Sequence, residues 1–157
     1  MQIKGVTDED FVNYKKASMF IAFPFCSFKC EKECGVCCCQ NSNLANSPNI
    51  EVSYEALVNR YMSNPITSAI VCGGLEPFDS WPNLHSLVQK FRERTEDDIV
   101  IYTGYNREEI EDAISTLSSF KNIIIKFGRF IPNQESHFDE VLGVKLASPN
   151  QYAERVS

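Results

Sequence analysis

Six of the seven cysteines in this chain lie within fourteen residues, and such a density of thiols is suited to binding metal. The six are Cys26, Cys30, Cys34, Cys37, Cys38 and Cys39, whereas Cys72 stands alone. Thiolates select zinc, copper(I) or iron–sulfur clusters. The cleanest spacing is Cys26-x-x-x-Cys30 followed by Cys39. Three thiolates can hold an iron–sulfur cluster and leave one iron open to another ligand.

A small zinc site is the alternative to a cluster. Cys34 and Cys37 form one C-x-x-C pair, but no second pair follows, and His85 and His137 are remote from it. A zinc ribbon normally needs a second pair of ligands at a similar spacing. Spacing alone therefore leaves an iron–sulfur cluster and a zinc site both open.

Composition narrows the class of protein. The chain has 157 residues, 43% of them hydrophobic, which is enough for the core of one domain spanning residues 1–157. Its 21 acidic and 15 basic residues give a net charge of −6, which argues against a nucleic-acid binder and against a polybasic membrane anchor. The acidic start, Met1 to Asp10, lacks the apolar stretch of a signal peptide, so we expect a cytoplasmic protein.

The elements that must position the cysteines alternate along the chain. Short apolar runs rich in β-branched residues predict four strands, at Ser18–Phe23, Ser68–Cys72, Asp98–Tyr102 and Ile123–Phe127. Apolar residues with helical spacing predict three helices after Ser53, Pro82 and Asn106. In the third helix, Glu108 and Glu109 suit the positive end of the helix dipole, and the acidic residues there are interpreted as a solvated face.

This alternating order predicts an α/β fold with parallel strand pairing and right-handed crossovers. The chain is too short for a complete eight-fold barrel, so we expect a partial (β/α) barrel or an open, mostly parallel sheet. Unusual residues follow each predicted strand: the cysteine loop, Gly73–Pro77, Thr103–Tyr105 and Gly128–Phe130. Parallel α/β proteins bind ligands at this carboxyl edge. Adjacent Gly73 and Gly74 would let the backbone approach a ligand, and Glu76 could accept hydrogen bonds from an ammonium group.

These residues resemble the radical S-adenosylmethionine superfamily. Cys26-Ser27-Phe28-Lys29-Cys30 is similar to the first half of its C-x-x-x-C-x-x-C signature, and Gly73–Pro77 resembles its G-G-E-P element with one residue inserted. Within the superfamily, the chain resembles the short activating proteins of anaerobic ribonucleoside-triphosphate reductases over about residues 18–152. The supporting stretches are Met19–Pro24, Cys39–Asn41, Tyr102–Tyr105, Gly128–Ile131 and Ser148–Gln151.

The chain departs from that family at the third cysteine. The second and third cysteines of the family are usually separated by two residues, but eight residues lie between Cys30 and Cys39. We assign Cys39 as the third ligand because Gln40-Asn41 follows it, as a similar polar pair follows the last cysteine in the family. Cys37 and Cys38, and also Cys34, are close enough in sequence to compete for this role.

The resemblance implies a radical S-adenosylmethionine oxidoreductase of the glycyl-radical-activating type. Cys26, Cys30 and Cys39 would hold a 4Fe–4S cluster, with no catalytic side chain beyond it, and the open iron would chelate S-adenosylmethionine. Gly73, Gly74 and Glu76 would hold the ammonium group of that cosubstrate, and Thr103 and Tyr105 would lie near its ribose or carboxylate. Reductive cleavage would give methionine and a 5′-deoxyadenosyl radical.

The resemblance also implies partners. The radical would take a hydrogen atom from a glycine in the large subunit of an anaerobic ribonucleotide reductase, and a reduced flavodoxin- or ferredoxin-type protein would donate the electron. No nucleic acid or membrane is expected to take part. The alternatives are activation of another glycyl radical enzyme and a zinc-binding interaction module without catalysis. The Gly73–Pro77 element separates these classes, because a zinc module does not need it.

Overall fold

The computed structural model describes residues 1–157 and has a six-stranded sheet at its centre. The strands of the chain are β1 (Gln2–Ile3), β2 (Gly5–Asp10), β3 (Ser18–Phe23), β4 (Ile50–Glu51), β5 (Ala69–Gly74), β6 (Asp98–Tyr102), β7 (Ile123–Phe127), β8 (His137–Asp139), β9 (Val144–Leu146) and β10 (Tyr152–Arg155). The helices are α1 (Lys29–Cys34), α2 (Ser42–Ala45), α3 (Tyr54–Met62), α4 (Trp81–Arg92) and α5 (Glu111–Leu117), with 3₁₀ turns at Pro77–Ser80 and Arg107–Glu109. None of these helices combines the length and the apolar character that crossing a membrane requires.

The sheet is open and mixed. Its strand order is β10-β7-β6-β5-β3-β2, and the four central strands β3, β5, β6 and β7 are parallel. The edge strands β2 and β10 run antiparallel to their neighbours. Because the central strands are parallel, their carboxyl ends share one edge of the sheet, and the loops that follow them meet there.

The four strands predicted from apolar runs are confirmed, three of them with identical bounds. The second begins one residue later and ends two residues later than predicted, because β5 continues through Gly73 and Gly74 in register with β3. The edge strands, the β1–β4 pair and the β8–β9 hairpin were not predicted. Their short or polar sequences carry little periodicity, and pairing with a neighbour holds them in place.

Two of the three predicted helices begin as expected. The Ser53 hydroxyl accepts a hydrogen bond from the Ala56 N–H at 3.1 Å at the start of α3, and Pro82 lies in the first turn of α4. The third differs, because Asn106 caps the 3₁₀ turn Arg107–Glu109 through a reciprocal capping box with Glu109. The helix α5 itself begins only at Glu111.

The two faces of the sheet are covered differently. The helices α3, α4 and α5 pack on one face and bury the larger core. The opposite face buries Val71, Val100 and Ile124 beneath Tyr14 of the β2–β3 loop and Leu142 and Leu146 of the β8–β9 hairpin. This second cover stops short of the carboxyl edge, where a cavity opens between the hairpin and the cysteine loop.

Candidate functional site

A cavity of about 440 Å³ lies at the carboxyl edge of the parallel strands. Three cysteines line it together with the loops that follow β5, β6 and β7. Most of the residues singled out in the sequence meet here: Cys26, Cys30, Cys39, Gly73, Gly74, Glu76 and Thr103. The structure thus gathers into one cavity residues that are up to 77 positions apart in the chain.

Tyr105 is the predicted site residue that lies outside this cavity. It lines a neighbouring groove with Lys29 and Trp81. Its hydroxyl donates to Asp79 Oδ1 at 2.5 Å, and the Lys29 ammonium lies 4.0 Å from the centre of its ring. Burial raises the pKa of the Tyr105 hydroxyl to about 12. Its position indicates a role in supporting the cysteine loop.

The six clustered cysteines divide into two groups. The inner cysteines, Cys26, Cys30 and Cys39, line the cavity. The outer cysteines, Cys34, Cys37 and Cys38, do not. All seven cysteines of the chain are free thiols. Although Cys37, Cys38 and Cys39 are consecutive, only the last of them reaches the cavity.

The outer cysteines form hydrogen bonds with residues in helix α1 and just after it. The Cys34 thiol donates to the Val36 carbonyl at 3.3 Å, and the Cys37 thiol donates to Glu31 Oε1 at 3.4 Å. A hydrogen bond with Cys34 raises the pKa of the Cys38 thiol to about 12. The hydrogen-bond partners of these thiols lie within residues 31–38.

Local geometry also orients the inner cysteines. Glu31 Oε1 accepts the Cys39 backbone N–H at 3.2 Å, so one carboxylate binds the residues on both sides of Cys38. Phe28 adopts a left-handed conformation (φ 55°) just before α1, and its N–H donates to Cys26 Sγ at 3.2 Å. The Phe130 backbone N–H hydrogen-bonds to the Cys30 thiol and favours its thiolate form. Donors to sulfur of this kind stabilise thiolates bound to metal.

Burial opposes ionisation of the inner thiols. It raises the pKa of Cys26 to about 11 and raises the pKa of Cys30. A cation bound between them would supply the compensating charge, because a thiolate, not a thiol, is the metal ligand. The inner group thus has a donor set suited to a metal centre.

These donors do not form a site for a single metal ion. No three side chains of cysteine, histidine, aspartate or glutamate converge as a single metal ion requires. Zinc holds its thiolates at about 2.3 Å, so its ligands must meet around one point. In a 4Fe–4S cluster each thiolate binds a different iron, so the ligands stand apart around a larger group. The three inner cysteines line the wall of one cavity of about 440 Å³.

Glu76 is held firmly at the wall of this cavity. Its carboxylate accepts hydrogen bonds from Thr103 Oγ1 at 2.8 Å, from the Gly104 N–H at 2.9 Å and from the Phe78 N–H at 3.1 Å. Only 7% of the residue is exposed, and this burial raises its pKa to about 7. Thr103 therefore acts on Glu76 directly, and the two residues form one unit.

The glycines before Glu76 have a packing role. Gly74 has a φ of 83°, and a Cβ there would lie 2.9 Å from Ala22 Cα. A Cβ at Gly73 would lie 3.1 Å from the Phe20 ring. Because neither residue has a side chain, the β5 backbone can pack closely against β3. The same two residues also line the cavity, where their backbone is exposed to a ligand.

Lys126 is a cavity residue that the sequence analysis missed. It sits in β7, on the face that also carries Ile124, and only 6% of it is exposed. Its ammonium donates to the Gly128 carbonyl at 3.0 Å, and burial lowers its pKa to about 8. The available signal was a lone cation within an otherwise apolar strand, Ile123–Phe127.

Arg129 joins the cysteine loop to the rest of the edge. Its guanidinium forms a bidentate pair with Glu109, at 2.6 and 2.7 Å, and its Nε lies 2.7 Å from a carboxylate oxygen of Glu33 on α1. The Nε hydrogen does not point at that oxygen, so the contact with Glu33 is an ion pair without an aligned hydrogen bond. The bond to Arg129 lowers the pKa of Glu109 to about 2. Glu109, interpreted from sequence as part of a solvated face, is instead an anchor of the site.

Comparison with known protein families agrees with this donor set. A family model described as a 4Fe-4S single cluster domain matches residues 16–149, which is most of the chain and includes every cysteine. No curated protein and no solved structure matches this chain. The family match and the inner cysteines point to the same cofactor. The chain belongs to the 4Fe-4S single cluster domain family and is an iron–sulfur protein.

Proposed function

We propose that this protein is a radical S-adenosylmethionine oxidoreductase that installs a glycyl radical on the large subunit of an anaerobic ribonucleotide reductase. One observation carries the proposal: the inner cysteines and the Gly73–Glu76 segment line the same cavity. A simple iron–sulfur electron carrier needs the thiolates but has no need of a buried carboxylate beside them. The open sheet of residues 1–157 would then be a partial barrel of the radical S-adenosylmethionine type.

The inner cysteines would hold the 4Fe–4S cluster through three thiolates. The chemistry such a cluster would supply is one electron for the sulfonium of S-adenosylmethionine, whose carbon–sulfur bond would break to give methionine and a 5′-deoxyadenosyl radical. A reduced flavodoxin- or ferredoxin-type protein would restore that electron. The protein's own share is to bind, orient and shield these groups.

Glu76 is suited to hold the ammonium group of the cosubstrate. A carboxylate offers about four hydrogen-bond acceptor positions, and three of those on Glu76 are filled by Phe78, Thr103 and Gly104. The remaining position can accept a charge-assisted bond from an ammonium. A cation beside it would also stabilise the ionised form of a carboxyl group whose pKa burial raises to about 7.

Lys126 is suited to hold the carboxylate of the same molecule. Its ammonium has three N–H donors, of which the Gly128 carbonyl takes one. Lys126 and Glu76 both line the cavity, and neither forms an ion pair with any residue of the chain. One buried cation and one buried anion complement the two charged groups of an amino-acid ligand.

One part of the cavity wall is apolar and is formed by Phe20, Leu44 and Leu146. Apolar walls exclude water, which limits side reactions of a reactive intermediate. The hydrogen atom would come from a glycine of the reductase, which would enter the cavity as part of a polypeptide segment. The radical on that glycine would be stored in the reductase.

Electron paramagnetic resonance of the reductase tests this proposal. The protein, loaded with its cluster and reduced under strict anoxia, is mixed with S-adenosylmethionine and the reductase. We expect the doublet of a glycyl radical, split by the remaining α-hydrogen. Cleavage of S-adenosylmethionine without this doublet would indicate that the partner is another glycyl radical enzyme. If a fully loaded, reduced protein does not cleave S-adenosylmethionine, the enzymatic assignment is overturned.

A further inference from the structure

The structure brings the thiols of Cys34 and Cys38 together outside the cavity. Helix α1 ends at Cys34, and Gly35 follows in a left-handed conformation with a φ of 71°, which turns the chain back on itself. The Gly35 N–H donates to the Glu31 carbonyl at 2.9 Å and closes this end of the helix. As a result, the Cys38 thiol hydrogen-bonds to the Cys34 thiol four residues earlier. We call Cys34 and Cys38 the outer pair.

Cys37 is closer to Cys34 in sequence, but its thiol is directed elsewhere. Cys34 and Cys37 form a C-x-x-C pair, which is the spacing of many redox-active dithiols. In the structure, however, the Cys37 thiol donates to Glu31 Oε1 at 3.4 Å. The thiols that meet are therefore offset by one residue from those that the motif predicts.

The outer pair is suited to oxidation and does not form a metal site. A structural zinc site needs four converging donors, and no three side chains of cysteine, histidine, aspartate or glutamate converge in this chain. Both thiols are accessible, since Cys34 and Cys38 are half-buried and Gly35 and Val36 between them are exposed. Two accessible thiols in contact need little movement to form a disulfide, in which the sulfur atoms lie about 2.05 Å apart.

The outer pair is linked to the inner cysteines through the segment Cys37–Cys39. The Glu31 carboxylate holds this segment on α1, because its Oε1 accepts both the Cys37 thiol and, at 3.2 Å, the Cys39 N–H. The bond to the Cys37 thiol is exposed, so water competes for it. A disulfide from the last residue of α1 to Cys38 would add a covalent link between the same helix and the residue next to Cys39.

We infer that the outer pair is a site of reversible oxidation, at which a disulfide between Cys34 and Cys38 forms and holds the predicted ligand Cys39 at the cavity. The oxidant is a low-molecular-weight disulfide. Its sulfur–sulfur bond breaks while a new one joins the two protein sulfurs, which are oxidised. The two thiol protons of the protein end on the two small thiols that are released, which are the reduced products.

The arrangement favours a reversible bond within the protein. Because the second thiol already lies beside the first, an internal disulfide is favoured over a lasting bond to the small molecule. Disulfides in reducing compartments are usually transient, as this modification requires. The outer pair lies outside the cavity, so its oxidation does not depend on which reaction the cluster performs.

Oxidised glutathione is the probe that tests this inference. The cluster-loaded protein is incubated under anoxia with mixtures of oxidised and reduced glutathione. Differential alkylation, with different labels for free thiols and for thiols released by reduction, identifies the cysteines that form disulfides. The variants are Cys34→Ser and Cys38→Ser, and the matched control is Cys37→Ser. The rate of iron release to a chelator is then measured before and after oxidation.

We expect Cys34 and Cys38 to be the oxidised thiols in the wild type and in Cys37→Ser, and excess reduced glutathione to restore both. Neither Cys34→Ser nor Cys38→Ser should form an internal disulfide. The oxidised wild type should release iron about tenfold more slowly than the reduced form, because a cross-link across a short loop restricts how far the segment opens. Oxidation should slow iron release from Cys37→Ser equally and should not slow it from the other two variants.

Several outcomes would show that the outer pair is not this site. They are a disulfide between Cys34 and Cys37 in the wild type, glutathione attached without an internal disulfide, a disulfide that includes an inner cysteine, and no oxidation at all. Equal or faster iron release from the oxidised wild type would overturn the effect on Cys39. None of these measurements uses cleavage of S-adenosylmethionine, so each of these results leaves the proposed function to its own test.

Discussion

The inner and outer cysteines are neighbours in sequence but differ in the groups that surround them. Cys38 and Cys39 are adjacent, yet Cys38 pairs with Cys34 outside the cavity, while Cys39 lines it. The inner group lies beside a buried carboxylate and a buried ammonium, those of Glu76 and Lys126. The outer group has the carboxylate of Glu31 as its charged neighbour. A thiol's surroundings, more than its place in a motif, decide which metal chemistry is open to it.

The largest expected effect comes from removing inner thiols. Cys26→Ser, Cys30→Ser and Cys39→Ser should each lose most of the bound iron, because a hydroxyl is a poor substitute for a thiolate that binds iron. Iron content and visible absorption of anaerobically reconstituted protein measure the loss. Cys37→Ser and the buried Cys72→Ser are the matched controls and should retain iron. If Cys39→Ser keeps a full cluster while Cys37→Ser or Cys38→Ser loses it, the division into inner and outer cysteines is wrong.

The second prediction concerns the buried carboxylate on the inner side. Burial raises the pKa of Glu76 from its ordinary 4.5 to about 7. Between these values the carboxyl group is protonated in the native state and ionised in the unfolded state, so unfolding releases a proton and stability falls as the pH rises. Raising the pH from 4.5 to 7 should therefore lower the free energy of unfolding by on the order of 3 kcal/mol through the ionisation of Glu76.

Urea unfolding of the cluster-free protein at several pH values measures this effect. The fall in unfolding free energy between these pH values should be steeper for the wild type than for Glu76→Gln, whose side chain does not ionise. Glu111→Gln, at the exposed start of α5, should follow the wild type. Parallel curves for the wild type and Glu76→Gln would show that the Glu76 carboxyl is not perturbed.

The smallest effect expected is on cosubstrate binding. Glu76→Gln should weaken S-adenosylmethionine binding by about 1.5–3 kcal/mol, because the amide forms no charge-assisted bond with the ammonium group. The cluster should remain assembled, since Glu76 is not one of its ligands. Calorimetric titration of the loaded variant gives the affinity, with Glu111→Gln as the reference. An unchanged affinity would show that Glu76 does not bind the cosubstrate. The buried carboxylate beside the inner cysteines would then not distinguish them in function from the outer cysteines.

Much of the local structure could be predicted from the sequence. The four parallel strands follow from short apolar runs rich in β-branched residues, and α3 and α4 follow from apolar spacing with a cap or proline at the start. The position of the cysteine loop and Gly73–Pro77 at one edge of the sheet follows from the order of these elements. The density of the thiols indicated a metal site and left an iron–sulfur cluster and zinc both open, and the family match supports the iron–sulfur cluster.

The sequence by itself determined which residue types are available and which elements carry them. Only the tertiary structure decided which of them meet: Cys39 with Cys26 and Cys30, Lys126 with Glu76, and Arg129 with Glu109 and Glu33. Cys39 remains a predicted ligand, to which the structure adds its place in the cavity. The physical reason is that periodicity records which side of an element is buried, whereas contacts between charged or thiol side chains depend on loop conformations and on pairing between distant strands.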